Sequence, residues 1–163
     1  MTAALRRAAA LLALILAAGC ANFSGISPGD SAPTVEARAG APATVWKNAD
    51  GSEVWEYALG PYGVQTFMIT VGPDHAVREV QQVLREEYFS RVHAGMSRDE
   101  VRRLLGKPRD IWYFPARDEE VWFWRYFEVN YRFFNVLFDR TAGTVRTTLR
   151  LDEIFFLDGR GRH

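Results

Sequence analysis

Cys20 is the only cysteine of the chain, and a cysteine thiol can accept a covalent group. Before it come Arg6 and Arg7, eleven positions without charge or proline (residues 8–18), and small residues at 17–19. This order is typical of a secretory signal peptide. Eleven helical residues span about half of a ~30 Å hydrocarbon core, so a permanent transmembrane helix is the weaker interpretation. The pattern predicts that residues 1–19 are a signal peptide, removed before Cys20.

Residues 16–20, LAAGC, resemble the lipobox of bacterial lipoproteins, in which this cysteine receives the lipid. Ala17 stands where that motif most often has Leu, and Leu16 lies one place further back. The resemblance implies an acylated Cys20, with no thiol left for disulfides, catalysis or metal. Ala21, at a position where Asp tends to mark inner-membrane retention, implies a lipid anchor on the periplasmic face of the outer membrane. The alternative is a soluble secreted protein with a buried thiol.

The remaining residues with catalytic or metal-binding chemistry form no recognisable site in the sequence. The chain has three histidines, far apart: His75, His93 and His163. None has a partner at metal-ligand spacing. Asp118, Glu119 and Glu120 lie in a predicted hairpin loop, where a solvated turn is favoured over a paired-acid site because adjacent carboxylates point in different directions. With no G-x-S-x-G motif and no glycine-rich phosphate loop, we expect no enzyme, no cofactor and no small-molecule substrate.

Composition and charge describe a folded, nearly neutral protein after cleavage. Removal of residues 1–19 leaves 144 residues with 18 Lys and Arg against 20 Asp and Glu, a net charge of −2. The absence of a basic run argues against a nucleic-acid partner. The high aromatic content and ordinary charged fraction predict a buried core rather than a disordered tail.

An internal repeat divides the chain into two units. Two 25-residue windows, starting at Asn22 and Tyr88, agree at eight positions with a constant offset of 66 residues. The identical pairs are Phe23/Phe89, Ser24/Ser90, Gly29/Gly95, Ser31/Ser97, Val35/Val101, Gly40/Gly106, Pro42/Pro108 and Trp46/Trp112. We therefore predict a duplication, with a first repeat at 20–84, a second at 85–151 and a C-terminal tail at 152–163.

In each unit, helices are predicted to precede an antiparallel sheet. In the second unit, Ser97 and Glu100 form a capping box, and Gly106 followed by Pro108 ends a helix over 98–105. The predicted strands are 110–114, 120–128, 131–139 and 144–151, and in the first unit 43–47, 53–59, 62–71 and 76–84. The fold class expected is α+β, with two tandem repeats of short helices packed on one face of a sheet of three to four strands.

The helix of the first unit has a poorer pattern than its counterpart. Pro33 lies in its first turn, and Arg38 stands where the second unit has Leu104. We expect this helix to be short or frayed. A unit of about 60 residues is marginally stable alone, so the two units are expected to pack together.

The second unit resembles the SmpA/OmlA, or BamE-like, family of small outer-membrane lipoproteins. The matched positions are Gly95, Met96, Ser97, Val101, Leu105, Gly106, Pro108, Trp124, Tyr126, Phe138, Asp139 and Gly143. The resemblance implies a role in envelope or β-barrel outer-membrane protein assembly, with the β-barrel assembly machine as one candidate partner. Two features depart from the single-domain members: Phe23 follows Cys20 almost at once, and the unit is doubled. Tandem units resemble the β-lactamase inhibitory proteins, which implies an inhibitor-like or cargo-binding module as the alternative.

The aromatic residues of the second unit are the candidate partner-binding surface. Strand alternation places Trp122, Trp124 and Tyr126 on one face and Val121, Phe123 and Phe127 on the other. We assign Phe123 and Phe127 to the helix side. The Trp face would then be buried against the first unit or would bind a partner, with Arg125 and Arg132 as charged contacts.

Overall fold

The computed structural model describes residues 23, 25–59 and 63–153. The predicted signal peptide, Cys20, His163 and all of the predicted tail except Asp152 and Glu153 lie outside the described residues. The elements are α1 (Ala32–Ala39), β1 (Thr44–Lys47), β2 (Glu53–Ala58), β3 (Thr66–Val71), β4 (Val77–Gln82), α2 (Glu86–Phe89), α3 (Arg98–Leu105), β5 (Asp110–Phe114), a 3₁₀ turn (Pro115–Arg117), β6 (Glu119–Phe127), β7 (Tyr131–Asp139) and β8 (Val145–Asp152).

The protein is α+β, with two four-stranded antiparallel sheets. Strands β1 to β4 form sheet 1 and strands β5 to β8 form sheet 2, each in sequence order. The middle strands pair through Trp55 opposite Ile69 in sheet 1 and Trp122 opposite Val136 in sheet 2. A one-residue register shift follows in each sheet: β4 skips Arg78 opposite Thr70/Val71, and β8 skips Arg146 opposite Leu137/Phe138.

Helix α3 begins and ends where local sequence signals place it. The Ser97 side chain accepts from the Glu100 N–H, and the Glu100 carboxylate accepts in return from the Ser97 N–H at 2.7 Å. Gly106 ends the helix with φ 77° and ψ −168°, a conformation essentially restricted to glycine. The predicted span of 98–105 is confirmed.

Helix α1 is as long as α3, so the expectation of a short or frayed helix is wrong. Both have eight residues. Pro33 is tolerated because it lies in the first turn, where a backbone N–H has no intrahelical acceptor. Arg38 faces outward, donates to the Gly25 carbonyl and pairs with Asp30 at 3.3 Å.

Helix α3 contacts both sheets. Its buried residues Val101 and Leu105 share a core with Trp124 of sheet 2 and Met68 of sheet 1. Helix α1 contributes Val35 to a separate core on the opposite face of sheet 1, with Trp55, Tyr57, Ile69, Val71 and Val77. The layers therefore run α1, sheet 1, α3 and sheet 2.

Several backbone features recur in the two halves. Gly40 follows α1 with φ 78° and ψ −171°, nearly the angles of Gly106 after α3. The N–H of Gly29 donates to Val77 O at 2.8 Å, and the N–H of Gly95 donates to Val145 O at 2.9 Å. Both glycines therefore lie just past the end of a helix.

Candidate functional site

Trp122, Trp124 and Tyr126 do not form an exposed platform. Their side chains are 7%, 1% and 3% exposed and lie in the core that contains Val101 and Leu105 of α3. The assignment of Phe123 to the helix side is therefore wrong, and the Trp face is the helix side. The Trp124 indole N–H donates to Gly106 O at 3.2 Å, so the helix terminus supplies the partner that a buried indole requires.

The other face of sheet 2, called here the outer face, is also apolar at its centre. It comprises the buried residues Val121, Phe123 and Phe133 and the partly buried residues Trp112, Phe114 and Leu137. All six belong to β5, β6 and β7. The Arg109 guanidinium lies over the Phe133 ring, 5.4 Å from its centroid. Phe127, at the end of β6, is 54% exposed and belongs to neither core.

Arg125 and Arg132 are engaged in ion pairs. Arg125 donates to both carboxylate oxygens of Glu153 at 2.9 Å and lies 3.9 Å from the Tyr131 ring centroid. The hydrogen bond from Arg125 lowers the pKa of the Glu153 carboxyl, against the opposing effect of burial. Arg132 pairs with Asp152 at 2.9 Å and with Glu128 at 3.0 Å. Both side chains therefore order the local surface of sheet 2.

Glu120 lies in β6 and not in a solvated turn. Its side chain is 8% exposed, and it accepts from Arg98 at 2.6 Å and from the Trp122 indole N–H at 2.5 Å. Asp118 and Glu119 are more exposed than Glu120. Asp118 directly follows the 3₁₀ turn in the left-handed backbone conformation. The three carboxylates thus do not converge, which argues against the paired-acid site.

Glu56 is a buried carboxylate that sequence reasoning missed. It is 0% exposed and accepts from Arg102 at 2.5 Å and from the Lys107 backbone N–H at 2.8 Å. These contacts join sheet 1 to the C-terminal end of α3. A charged residue inside the apolar strand VWEYA was the available signal, because such a residue at strand centre is rarely buried without a partner.

His75 and His93 are exposed, and His75 lies in a turn with φ 58°. In the described part of the chain, no three side chains of the metal-binding types come together. Among the described residues, no helix is long and apolar enough to span a membrane.

Large exposed apolar side chains are concentrated on the second half. Among the described residues they are Val45, Ile111, Tyr113, Phe127, Val129, Tyr131, Leu149 and Leu151. Seven of these eight follow residue 105, and only Val45 belongs to sheet 1. Four lie on the edge strands β5 and β8, and three lie on or between the ends of β6 and β7.

Comparison with known proteins adds little to this geometry. No protein-family model matches the chain, and no curated protein matches it. Among solved structures, the chain is similar to an extracellular protein containing an SCP domain from Bacillus anthracis str. Ames, with 12% sequence identity and a TM-score of 0.32. The match covers 89% of this chain and 50% of that one, so the chain spans half the length of the protein it matches. A TM-score this low supports no conclusion about fold or function.

Proposed function

We propose that this chain is an outer-membrane lipoprotein, anchored through acylated Cys20 and facing the periplasm, that acts by protein–protein contact in envelope or β-barrel assembly. The LAAGC stretch supports the anchor, since its cysteine follows an uncharged run and small residues. The resemblance to the SmpA/OmlA family supports the compartment and the process.

We infer that the two halves are tandem repeats, each with helices on one face of its sheet. The recurring glycine angles at Gly40 and Gly106, together with matching register shifts between β3 and β4 and between β7 and β8, support this inference. In this arrangement the buried carboxylates are structural. Glu56 and Glu120 are each held by an arginine and by a second N–H donor, so neither is placed as a general acid or base.

The observation that carries the binding role is the exposure of apolar side chains on both edges of sheet 2. Tyr113 is 58% exposed on β5 and Leu149 is 46% exposed on β8. An edge strand presents unpaired backbone groups, and proteins usually protect such edges with charge, proline or a covering element. Aromatic and aliphatic side chains on an edge favour a partner that docks there.

Site-specific photocross-linking tests this role. A photoreactive amino acid at Tyr113 or Leu149 should form a protein adduct in intact cells. The matched control is Val45, an exposed apolar residue on an edge strand of sheet 1. Equal yields at all three positions, or none, would contradict a contact surface on sheet 2.

The identity of the adduct separates the proposed function from its alternative. Components of the β-barrel assembly machine would support the assembly role. A single soluble periplasmic enzyme, recovered at the same positions, would support the inhibitor-like or cargo-binding module instead. The control position Val45 should give neither adduct, because it lies on the other sheet.

A further inference from the structure

The start of the described chain is tied to one end of sheet 1. The Phe23 ring stacks on Phe67 at a centroid distance of 4.4 Å and contacts the Tyr57 ring edge-on at 5.3 Å. Phe67 lies near the start of β3. Cys20 is three residues before Phe23, and three extended residues span at most about 11 Å. A lipid on Cys20 would therefore hold this end of the molecule close to a bilayer.

The hairpin between β6 and β7 lies at the same end. Phe67 is opposite Gln82 in the register of β3 and β4. Gln82 lines a cavity of about 360 Å³ together with Phe127 and Tyr131, which flank that hairpin. The hairpin tip and the point where the anchor joins the fold thus belong to one end of the protein.

This hairpin exposes apolar side chains at its tip. Val129 is 88% exposed, Phe127 is 54% exposed and Tyr131 is 46% exposed. The rings of Phe127 and Tyr131 contact each other with centroids 5.2 Å apart. The one acidic side chain within the tip, Glu128, is paired with Arg132 at 3.0 Å. The tip therefore combines exposed apolar groups with neutralised charge.

The opposite end of sheet 2 has a different character. Strand β7 leads from Tyr131 to a turn at residues 140–143, roughly 27 Å away at ~3.4 Å per residue. That turn is polar: the Thr141 N–H donates to Asp118, and Arg140 pairs with the same carboxylate at 3.4 Å. The apolar tip is thus specific to the end nearer Cys20.

We propose that the tip of the β6–β7 hairpin, residues 127–131, lies in the interfacial region of the bilayer that holds the Cys20 lipid. This inference rests on the proposed lipid anchor. Aromatic side chains are favoured in the interfacial region, and an exposed aliphatic residue gains by leaving water there. With the hairpin in the interface, the protein has two membrane contacts and a fixed orientation, in which the polar turn at residues 140–143 points away from the lipid.

Fluorescence at single introduced cysteines tests the proposal. Acylation of Cys20 leaves the native chain without a free thiol, so Val129→Cys can be labelled alone with an environment-sensitive dye. Its matched control is Ala142→Cys, exposed in the polar turn at the far end. The acylated proteins are placed in vesicles of phosphatidylethanolamine and phosphatidylglycerol, with or without a nitroxide-bearing lipid.

The dye at position 129 should show blue-shifted emission and quenching by the nitroxide lipid, and the dye at 142 should show neither. Aqueous emission at both positions, with the protein still acylated and vesicle-bound, would overturn the hairpin contact alone. A photoreactive amino acid at position 129 in intact cells gives a further outcome. Aqueous emission of the dye in vesicles together with a protein adduct in cells would overturn the membrane contact in favour of a protein partner. Absence of acyl label at Cys20 would overturn the anchor itself, and the hairpin contact with it.

Discussion

Glu56 of sheet 1 and Phe123 of sheet 2 occupy corresponding places, each on the second strand of its sheet and each on the face away from the Trp residues of that strand. Glu56 lies opposite Thr44 and Met68, and Phe123 lies opposite Asp110 and Asn135. The face around Glu56 contacts α3, whereas every described member of the cluster around Phe123 is on sheet 2 itself.

The Glu56 face of sheet 1 has a defined contact, helix α3, and its residue types suit that contact. The α3 contact uses a carboxylate that accepts from Arg102 and from the Lys107 N–H, close to the end of the helix. A buried charge is costly unless it is paired. The Glu56 position therefore favours the one packing of α3 that brings Arg102 and the Lys107 N–H to this carboxylate. The apolar Phe123 imposes no such geometric requirement.

The largest effect is expected from the core between α3 and sheet 2. Trp124→Ala should destabilise the protein by about 3–5 kcal/mol, because it removes a fully buried ring. Chemical denaturation measures the loss. Trp124→Phe is the control, since it keeps one aromatic ring while removing the donor to the Gly106 carbonyl and the volume of the second ring. Equal losses in the two variants would mean that the indole hydrogen bond and the fit of the second ring, not the burial of an aromatic ring as such, dominate.

The contact between α3 and sheet 1 is tested by its carboxylate. Glu56→Ala should cost about 3–5 kcal/mol, because Arg102 is left partly buried without its partner and the Lys107 N–H without its acceptor. Glu53→Ala, on the same strand, is the control and should cost less, about 1 kcal/mol, because it removes the acceptor of the Trp55 indole N–H at 2.9 Å and a long pair with the exposed Lys47. Denaturant midpoints compare them. A Glu56 effect as small as that of Glu53 would contradict the importance of this contact.

Two glycines with the same backbone angles sharpen the comparison between the halves. Gly40→Ala should cost about 1–3 kcal/mol from backbone strain alone, because no atom beyond the two neighbouring residues lies within 4 Å of the added methyl group. Gly106→Ala carries the same strain and places its methyl group 2.7 Å from the Thr66 methyl and 3.1 Å from Glu56 Oε1, which adds about 1–3 kcal/mol of overpacking.

Thermal unfolding of both glycine variants gives the measurement, with the wild-type chain as the reference. A larger loss for Gly106→Ala would place the extra effect at the contact between α3 and sheet 1. Equal losses of stability would mean that Thr66 and Glu56 move away from the added methyl group at no measurable cost.

The smallest effect is a pH dependence in sheet 1. Burial, with a contribution from Glu36, raises the pKa of Tyr57 to about 12. The folded state therefore favours the neutral phenol of Tyr57. The resulting contribution to the free energy of unfolding is complete below the unfolded pKa of about 10 and is lost as the pH rises from there toward 12. Tyr57→Phe should reduce this alkaline loss and, by removing the hydrogen bond to Gly40 O, cost about 1 kcal/mol at neutral pH.

Denaturation at neutral and alkaline pH, with absorbance titration of the tyrosines, provides the check. An alkaline loss of stability that is unchanged in Tyr57→Phe would assign it to another group.

Local elements were well predicted from the sequence because their causes are local. The Ser97–Glu100 capping box and Gly106 define α3 within a few residues, and the observed span agrees with the predicted one. Strands β5 and β7 also match their predicted ranges, since turn residues flank them on both sides. The length of α1 was misjudged because Pro33 was weighed as a helix breaker, although its position in the first turn makes it harmless.

The sequence by itself determined the α+β class, the places of the strands along the chain and the end of α3, because caps, turns and strand alternation act over a few residues. Only the tertiary structure decided which face of β6 meets α3. On β6 the residues of both faces are large and apolar, so strand alternation alone cannot say which face contacts α3. The choice depends on the Gly106 carbonyl that accepts from Trp124 and on Glu56, whose partners Arg102 and Lys107 are more than 40 residues away in the chain.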